Sequence, residues 1–168
     1  MTDISRRSIL LGGTAVLSLG AAGFLFRPTS SSRAAEGTFE FTLSDSEWKK
    51  RLHPISYQVL RHEYTEPPGT SELLNEHRNG TFACAGCDLP LFDSATKYES
   101  GTGWPSFYQP LDNAVGTSTD MLLGYPRTEV HCRRCGGHLG HVFEDGPPPT
   151  GLRYCMNGYA LHFHPSEG

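Results

Sequence analysis

Charge is scarce in this chain of 168 residues: Asp, Glu, Lys and Arg together make up 19%. The formal net charge of −4 leaves no basic surplus, which argues against a nucleic-acid binder. No repeat of the length used by solenoids or propellers is present, which excludes a repeat architecture. Charged residues are too few, and Gly (19) and Pro (12) too many, for a helical bundle or coiled coil. Apolar residues are modest at 37%, but aromatics reach 11% and supply large pieces for a core. One domain of short strands and many turns fits this composition. The five cysteines are an odd number, so they cannot all pair with one another.

Residues 1–35 differ from the rest. Arg6-Arg7 precedes an apolar, Gly/Ala-rich run from Ile9 to Phe26, followed by a Ser cluster and Ala34-Ala35. A positive start, an apolar middle and a small-residue end describe an export signal, and the arginine pair resembles the twin-arginine type. A retained membrane anchor is the alternative. The expected location is periplasmic, or attached to the outer face of the inner membrane. Residues 36–168 then form the working domain. Removing Arg6, Arg7, Arg27, Arg33 and Asp3 takes the net charge from −4 to −7. Bulk positive charge therefore captures no substrate here.

Ser44 with Glu47 predicts a capping box that opens a short helix. Pro54 predicts the start of a second helix running to Arg61. A further turn is expected over 71–76. After Gly80 the pattern changes to short strand candidates at 81–84, 89–92, 129–132, 141–143, 153–155 and 159–163. Short helices lead and an antiparallel β domain follows. Pro147-Pro148-Pro149 marks a stiff surface loop.

Cys84-Ala85-Gly86-Cys87 and Cys132-Arg133-Arg134-Cys135 are two C-x-x-C hooks. Each hook brings two sulfurs to one ion, and two hooks close a tetrahedral zinc site. With protein filling every position, such a site is structural. Two disulfides are the alternative in an oxidising compartment. Cys155 is left over. Arg153 falls on the same face if the segment is a strand, and a nearby positive charge favours thiolate. His138 and His141 are candidate acids, and Cys with His is the recurrent pairing for thiolate chemistry. Trp104, in a glycine-bracketed loop, presents a large ring or caps the sheet.

Taken together, residues 44–163 resemble the B-type methionine sulfoxide reductases. The resemblance rests on Cys-Ala-Gly-Cys at 84–87, Ser-Gly-x-Gly-Trp-Pro-Ser-Phe at 100–107, Cys-x-x-Cys at 132–135, Gly-His-Leu-Gly-His-Val-Phe at 137–143 and Arg-Tyr-Cys-x-Asn at 153–157. It implies a mainly β fold of two packed antiparallel sheets with short N-terminal helices, stapled by a structural Zn2+ on Cys84, Cys87, Cys132 and Cys135. It implies that Cys155 attacks the sulfoxide sulfur of a methionine-R-sulfoxide. His138 and His141 bind and protonate its oxygen, Asn157 orders them, and Trp104, Phe107 and Arg153 line the substrate. The expected partners are oxidised protein or peptide methionine and a thioredoxin-like or other thiol reductant, with the enzyme a monomer.

Two departures from the family stand out. Thr102 occupies the position of a resolving cysteine, so an external thiol is expected to reduce Cys155. Gly158 replaces a small hydroxyl residue, which is expected to loosen the pocket. Rival readings are a zinc-stapled binding module, a zinc hydrolase using the histidines, and a thiol–disulfide oxidoreductase using a C-x-x-C.

Overall fold

The computed structural model describes residues 37–167. The signal or anchor expected in residues 1–35 lies outside them. Among the described residues no helix is long and apolar enough to cross a membrane.

Two short helices come first. The Ser44 hydroxyl accepts from the Glu47 amide, and the Glu47 carboxylate accepts from the Ser44 amide at 2.8 Å. This capping box opens α1 (Asp45–Arg51). Its acidic first turn and basic last turn both match the helix dipole. Pro54 opens α2 (Pro54–His62), which ends at Glu63 in the left-handed conformation and buries Tyr57, Val59 and Leu60. The turn expected over 71–76 is a 3-10 turn at Glu72–Asn75.

The strands are β1 (Gly80–Cys84), β2 (Pro90–Asp93), β3 (Lys97–Tyr98), β4 (Ser106–Phe107), β5 (Val115–Asp120), β6 (Arg127–Cys132), β7 (His138–Phe143), β8 (Arg153–Met156) and β9 (Leu161–Pro165). They form two antiparallel sheets, ordered β2-β1-β9 and β3-β4-β8-β7-β6-β5. Three of them go beyond the sequence expectation. β3 and β4 have two residues each, too few to show a period. β5 reads Val-Gly-Thr-Ser-Thr-Asp and is a largely exposed edge strand, so no apolar face marks it. The strand expected from Tyr159 starts instead at Leu161, because Gly158–Ala160 forms a 3-10 turn.

The two sheets meet through aromatic rings. Phe107 of β4 stacks on Phe92 of β2 at 4.3 Å and meets Phe82 of β1 edge-on at 5.0 Å. All three are fully buried, and each contributes about 1.5–3 kcal/mol by leaving water. This corrects the expectation that Phe107 lines the substrate. In the β4–β8 register Ser106 pairs with Cys155 and Phe107 with Tyr154. Alternate residues of a strand point to opposite faces, so Ser106 shares the face of Cys155 and Phe107 turns into the core.

Candidate active site and metal centre

Each C-x-x-C hook closes a hairpin. Cys84 ends β1 and Cys87 lies in the turn to β2; Cys132 ends β6 and Cys135 lies in the turn to β7. One hook therefore comes from each sheet. Gly136, at φ 66°, lets the second turn tighten so that its N–H reaches the Cys132 carbonyl at 2.9 Å. The four buried sulfurs all lie within 4.8 Å of one another. The Cys84–Cys135 separation is 3.7 Å and the Cys87–Cys132 separation 3.5 Å. A tetrahedron with metal–sulfur bonds of about 2.3 Å has sulfurs roughly 3.8 Å apart, so the cage fits one ion. The same spacings are too long for disulfides. The helices support the cage from outside: Arg51 Nε donates to the Gly86 carbonyl at 2.8 Å and Arg61 Nη1 to the Cys135 carbonyl at 3.2 Å.

Cys155 stands elsewhere, on β8, half-buried beside a cleft of about 120 Å³. His141 faces it directly across the β7–β8 register, and both line the cleft with Trp104, Phe143, Arg127 and Asn157. The two strands pack closely because residue 140 is glycine: a Cβ there would lie 2.1 Å from the Cys155 carbonyl oxygen. A larger open groove of about 630 Å³ runs past His53, Tyr159 and Phe163, and none of the five cysteines lines it.

Burial pushes the Cys155 thiol up; hydrogen bonding from Thr102 and the nearby Arg153 guanidinium pull it back without overcoming burial. The Arg153 charge acts toward thiolate, the direction expected of a nearby cation, but burial outweighs it. Arg153 is held mainly by Asp145, at 2.8 Å on both arms of the fork, and stacks over Phe143. His141 Nε2 is 2.8 Å from Asp120 Oδ2. Burial lowers the His141 pKa, and the Asp120 contact opposes that. Burial pushes the Asp120 carboxyl up, but the Leu122 amide, His141 and Arg127 together hold it at about 2.

The profile of the SelR domain matches residues 52–165. The chain belongs to the MsrB family of peptide methionine sulfoxide reductases. It is 52% identical over 125 residues to the MsrB of Thiobacillus denitrificans, covering 74% of this chain and 95% of that one. Identity to the MsrB of Pseudomonas putida is 55% over 123 residues, 73% of this chain and 92% of the relative. The chloroplastic reductase B1 of Arabidopsis thaliana is 47% identical over 153 residues, 90% of this chain and 75% of its own.

Within this MsrB fold the expected site residues separate into those at the cleft and those behind it. His138 is 1% exposed and lies behind His141, the two rings edge to face at 5.4 Å. Its Nδ1 sits 2.8 Å from Glu129 Oε1. Asn157 reaches the cleft, but its side-chain amide accepts from the Glu66 N–H at 3.0 Å and donates to the Leu139 carbonyl at 3.1 Å. It orders the backbone between the two histidines. Gly158 does not loosen the pocket. A Cβ there would lie 1.8 Å from Ser71 Oγ, so Ser71 already fills the space.

Glu66, Asp120, Arg127 and Glu129 escaped the sequence reading. Glu66 is 1% exposed and accepts from the Gly158 and Tyr159 amides at 2.8 and 2.9 Å. Its backbone carbonyl accepts from Trp104 Nε1 at 3.0 Å, which fixes the indole at the cleft. Burial raises its pKa, and the two amides oppose that. Nothing in Thr-Glu-Pro-Pro-Gly marks Glu66 as a hub. Asp120 and Arg127 bracket the β5–β6 turn and pair with one another. Alternation along β6 was the available signal for Glu129, whose side chain shares a face with His131.

Proposed function

We propose that the chain reduces the R epimer of methionine sulfoxide to methionine in oxidised proteins and peptides, with Cys155 as nucleophile. The observation that carries this reading is the cross-strand pair of Cys155 and His141 on one cleft, with Trp104 beside them.

A sulfoxide sulfur is a poor electrophile until its oxygen takes a proton. His141 Nε2 is committed to Asp120, so the proton leaves from Nδ1. The substrate S-methyl group packs against the Trp104 ring. The Cys155 thiolate attacks the sulfoxide sulfur, and the oxygen ends on Cys155 as a sulfenic acid while methionine departs. The sulfoxide is reduced by two electrons and Cys155 is oxidised by two. One external thiol then forms a mixed disulfide with Cys155, releasing water. A second thiol frees Cys155 and leaves as the external disulfide. Thr102, 3.8 Å from Cys155 Sγ, occupies the place of an internal resolving thiol.

Cys84, Cys87, Cys132 and Cys135 fit a structural zinc ion, which supplies cross-linking energy to the fold. This assignment disfavours the hydrolase reading, because the histidines are not needed as ligands. It also disfavours the C-x-x-C oxidoreductase reading, because the two hooks converge on one buried cage and a shared ion would hold all four sulfurs. We further propose that residues 1–35 export the enzyme through the twin-arginine route to the periplasm or the outer face of the inner membrane. The reductant there is a thioredoxin-like or other thiol donor, and the enzyme is monomeric. Replacing Arg6-Arg7 with Lys-Lys traps the enzyme in the cytoplasm if this is right.

The decisive assay incubates the chain with racemic peptide methionine sulfoxide and dithiothreitol. The R epimer alone is consumed, and Cys155→Ser abolishes consumption. One turnover without reductant leaves mass added at Cys155. An internal disulfide in its place would sink the reading of Thr102.

A further inference from the structure

Three hydroxyls form a row that ends at Cys155. Thr102 Oγ1 is 3.8 Å from Cys155 Sγ, within hydrogen-bond reach of sulfur. Ser100 Oγ is 2.8 Å from Thr102 Oγ1 and 2.7 Å from Ser106 Oγ. Ser106 Oγ is 3.1 Å from the Trp104 carbonyl oxygen, which accepts its proton. Ser106 is fully buried and sits opposite Cys155 in the β4–β8 register, on the same face. Gly101 and Gly103, at φ 71° and 92°, fold the loop so that Ser100 and Thr102 both reach the row.

Each hydroxyl donates one proton and accepts through lone pairs. A row of three, with sulfur at one end and a carbonyl at the other, has two orientations, and only the first keeps the Ser106 proton on the Trp104 carbonyl. With Cys155 as a thiol, S–H donates to Thr102, Thr102 to Ser100, Ser100 to Ser106 and Ser106 to the Trp104 carbonyl. With Cys155 ionised, the protons turn round: Ser106 donates to Ser100, Ser100 to Thr102 and Thr102 to sulfur. We propose that Ser100, Thr102 and Ser106 form a reversible hydroxyl row that turns toward Cys155 when the thiol ionises and holds the thiolate for attack. This rests on Cys155 being the nucleophile. Thr102 touches the reacting sulfur; Ser100 is a positioning residue acting through it, and Ser106 acts both through the row and on the sulfur from across the strand pair.

Other groups also face the sulfur. Arg153 lies two residues before it on β8 and is paired with Asp145; His141 is opposite on β7; Tyr98 approaches from β3. Burial raises the Cys155 pKa, while hydrogen bonding from Thr102 and Ser106 and the charge of Arg153 lower it. Of these, the Thr102 and Ser106 contributions are removable without changing any charge, and Thr102, unlike fully buried Ser106, lies outside the core.

The test follows iodoacetamide alkylation of Cys155 against pH in the full, metal-loaded chain, quantified on the Cys155 peptide. Thr102→Val keeps the shape and removes the hydroxyl. Its profile moves up by about one pH unit, which is about tenfold slower alkylation near neutrality. Thr102→Ser keeps the parent profile, and Ser100→Ala moves in the same direction by less. A Thr102→Val profile that superimposes on the parent overturns the row. So does a Thr102→Ser profile displaced as far as the valine variant. Failure of the nucleophile reading looks different: Cys155 alkylates normally, yet Cys155→Ser still consumes the sulfoxide.

Discussion

Five cysteines sit in two kinds of surroundings. Around Cys84, Cys87, Cys132 and Cys135 the protein closes on every side, and each sulfur has another within 4.8 Å. Cys155 has a cleft on one side, a hydroxyl at 3.8 Å and an imidazole across the strand pair. On the proposed function the same side chain serves as a structural ligand in one place and a reactive group in the other. What differs is access and the neighbouring donors. A caged thiolate has all its lone-pair directions claimed and reacts slowly. A half-buried thiol keeps one approach open, and its ionisation is set by a few identifiable partners.

The largest expected effect falls on the caged four. Zinc held by four thiolates contributes binding energy of about 10 kcal/mol or more to folding in small domains. Stripping the metal with a strong chelator should unfold the domain, with circular dichroism and activity lost together. Activity lost while the fold persists would reverse the roles of the two regions. Next comes Cys155→Ser, which should cut turnover by at least about a thousandfold while thermal stability and metal content stay at parent values. Stability changes as large as those of Cys132→Ser would erase the distinction.

Phe107 and Trp104 sharpen it at the level of packing. Phe107→Ala should cost about 3–5 kcal/mol of stability, read by denaturant unfolding, because the ring joins the two sheets. Trp104→Ala should leave stability closer to the parent and raise KM for the sulfoxide, because that ring lines the cleft.

The smallest effect concerns pH. His141 must be protonated to act as an acid, so activity should fall as pH rises through its pKa. Burial lowers that pKa and Asp120 partly restores it. Asp120→Asn removes the restoring contact, so the fall should move to lower pH. The loss should be about tenfold at pH 8 and smaller at pH 6. An unchanged profile would mean that Asp120 holds the β5–β6 turn and does not tune the histidine.

How much of this was legible in the sequence depended on the distance over which each feature is decided. The Ser44 cap, the Pro54 start and the turn at Glu72–Asn75 are settled by residues within a few positions, and they appear where expected. The two hooks are local turns with a fixed reach, so their pairing into one cage was readable from spacing. The candidate thiol, the two histidines and Trp104 were marked by motifs. Which histidine meets the cleft was not marked. His138 and His141 differ by three positions on β7, and only packing put His138 behind.

The sequence by itself determined the short helices, the paired hooks, the odd cysteine and the family. Those follow from local backbone preferences and from residue types at short spacing. Tertiary structure alone decided that Ser106 faces Cys155 while Phe107 turns inward, that Glu66 fixes Trp104 from a distant loop, and that Asp120 reaches His141. Each of these rests on strand register or on contacts between residues far apart in the chain. A shift of one residue in register flips every side chain to the other face, and two-residue strands carry no periodicity that could reveal it.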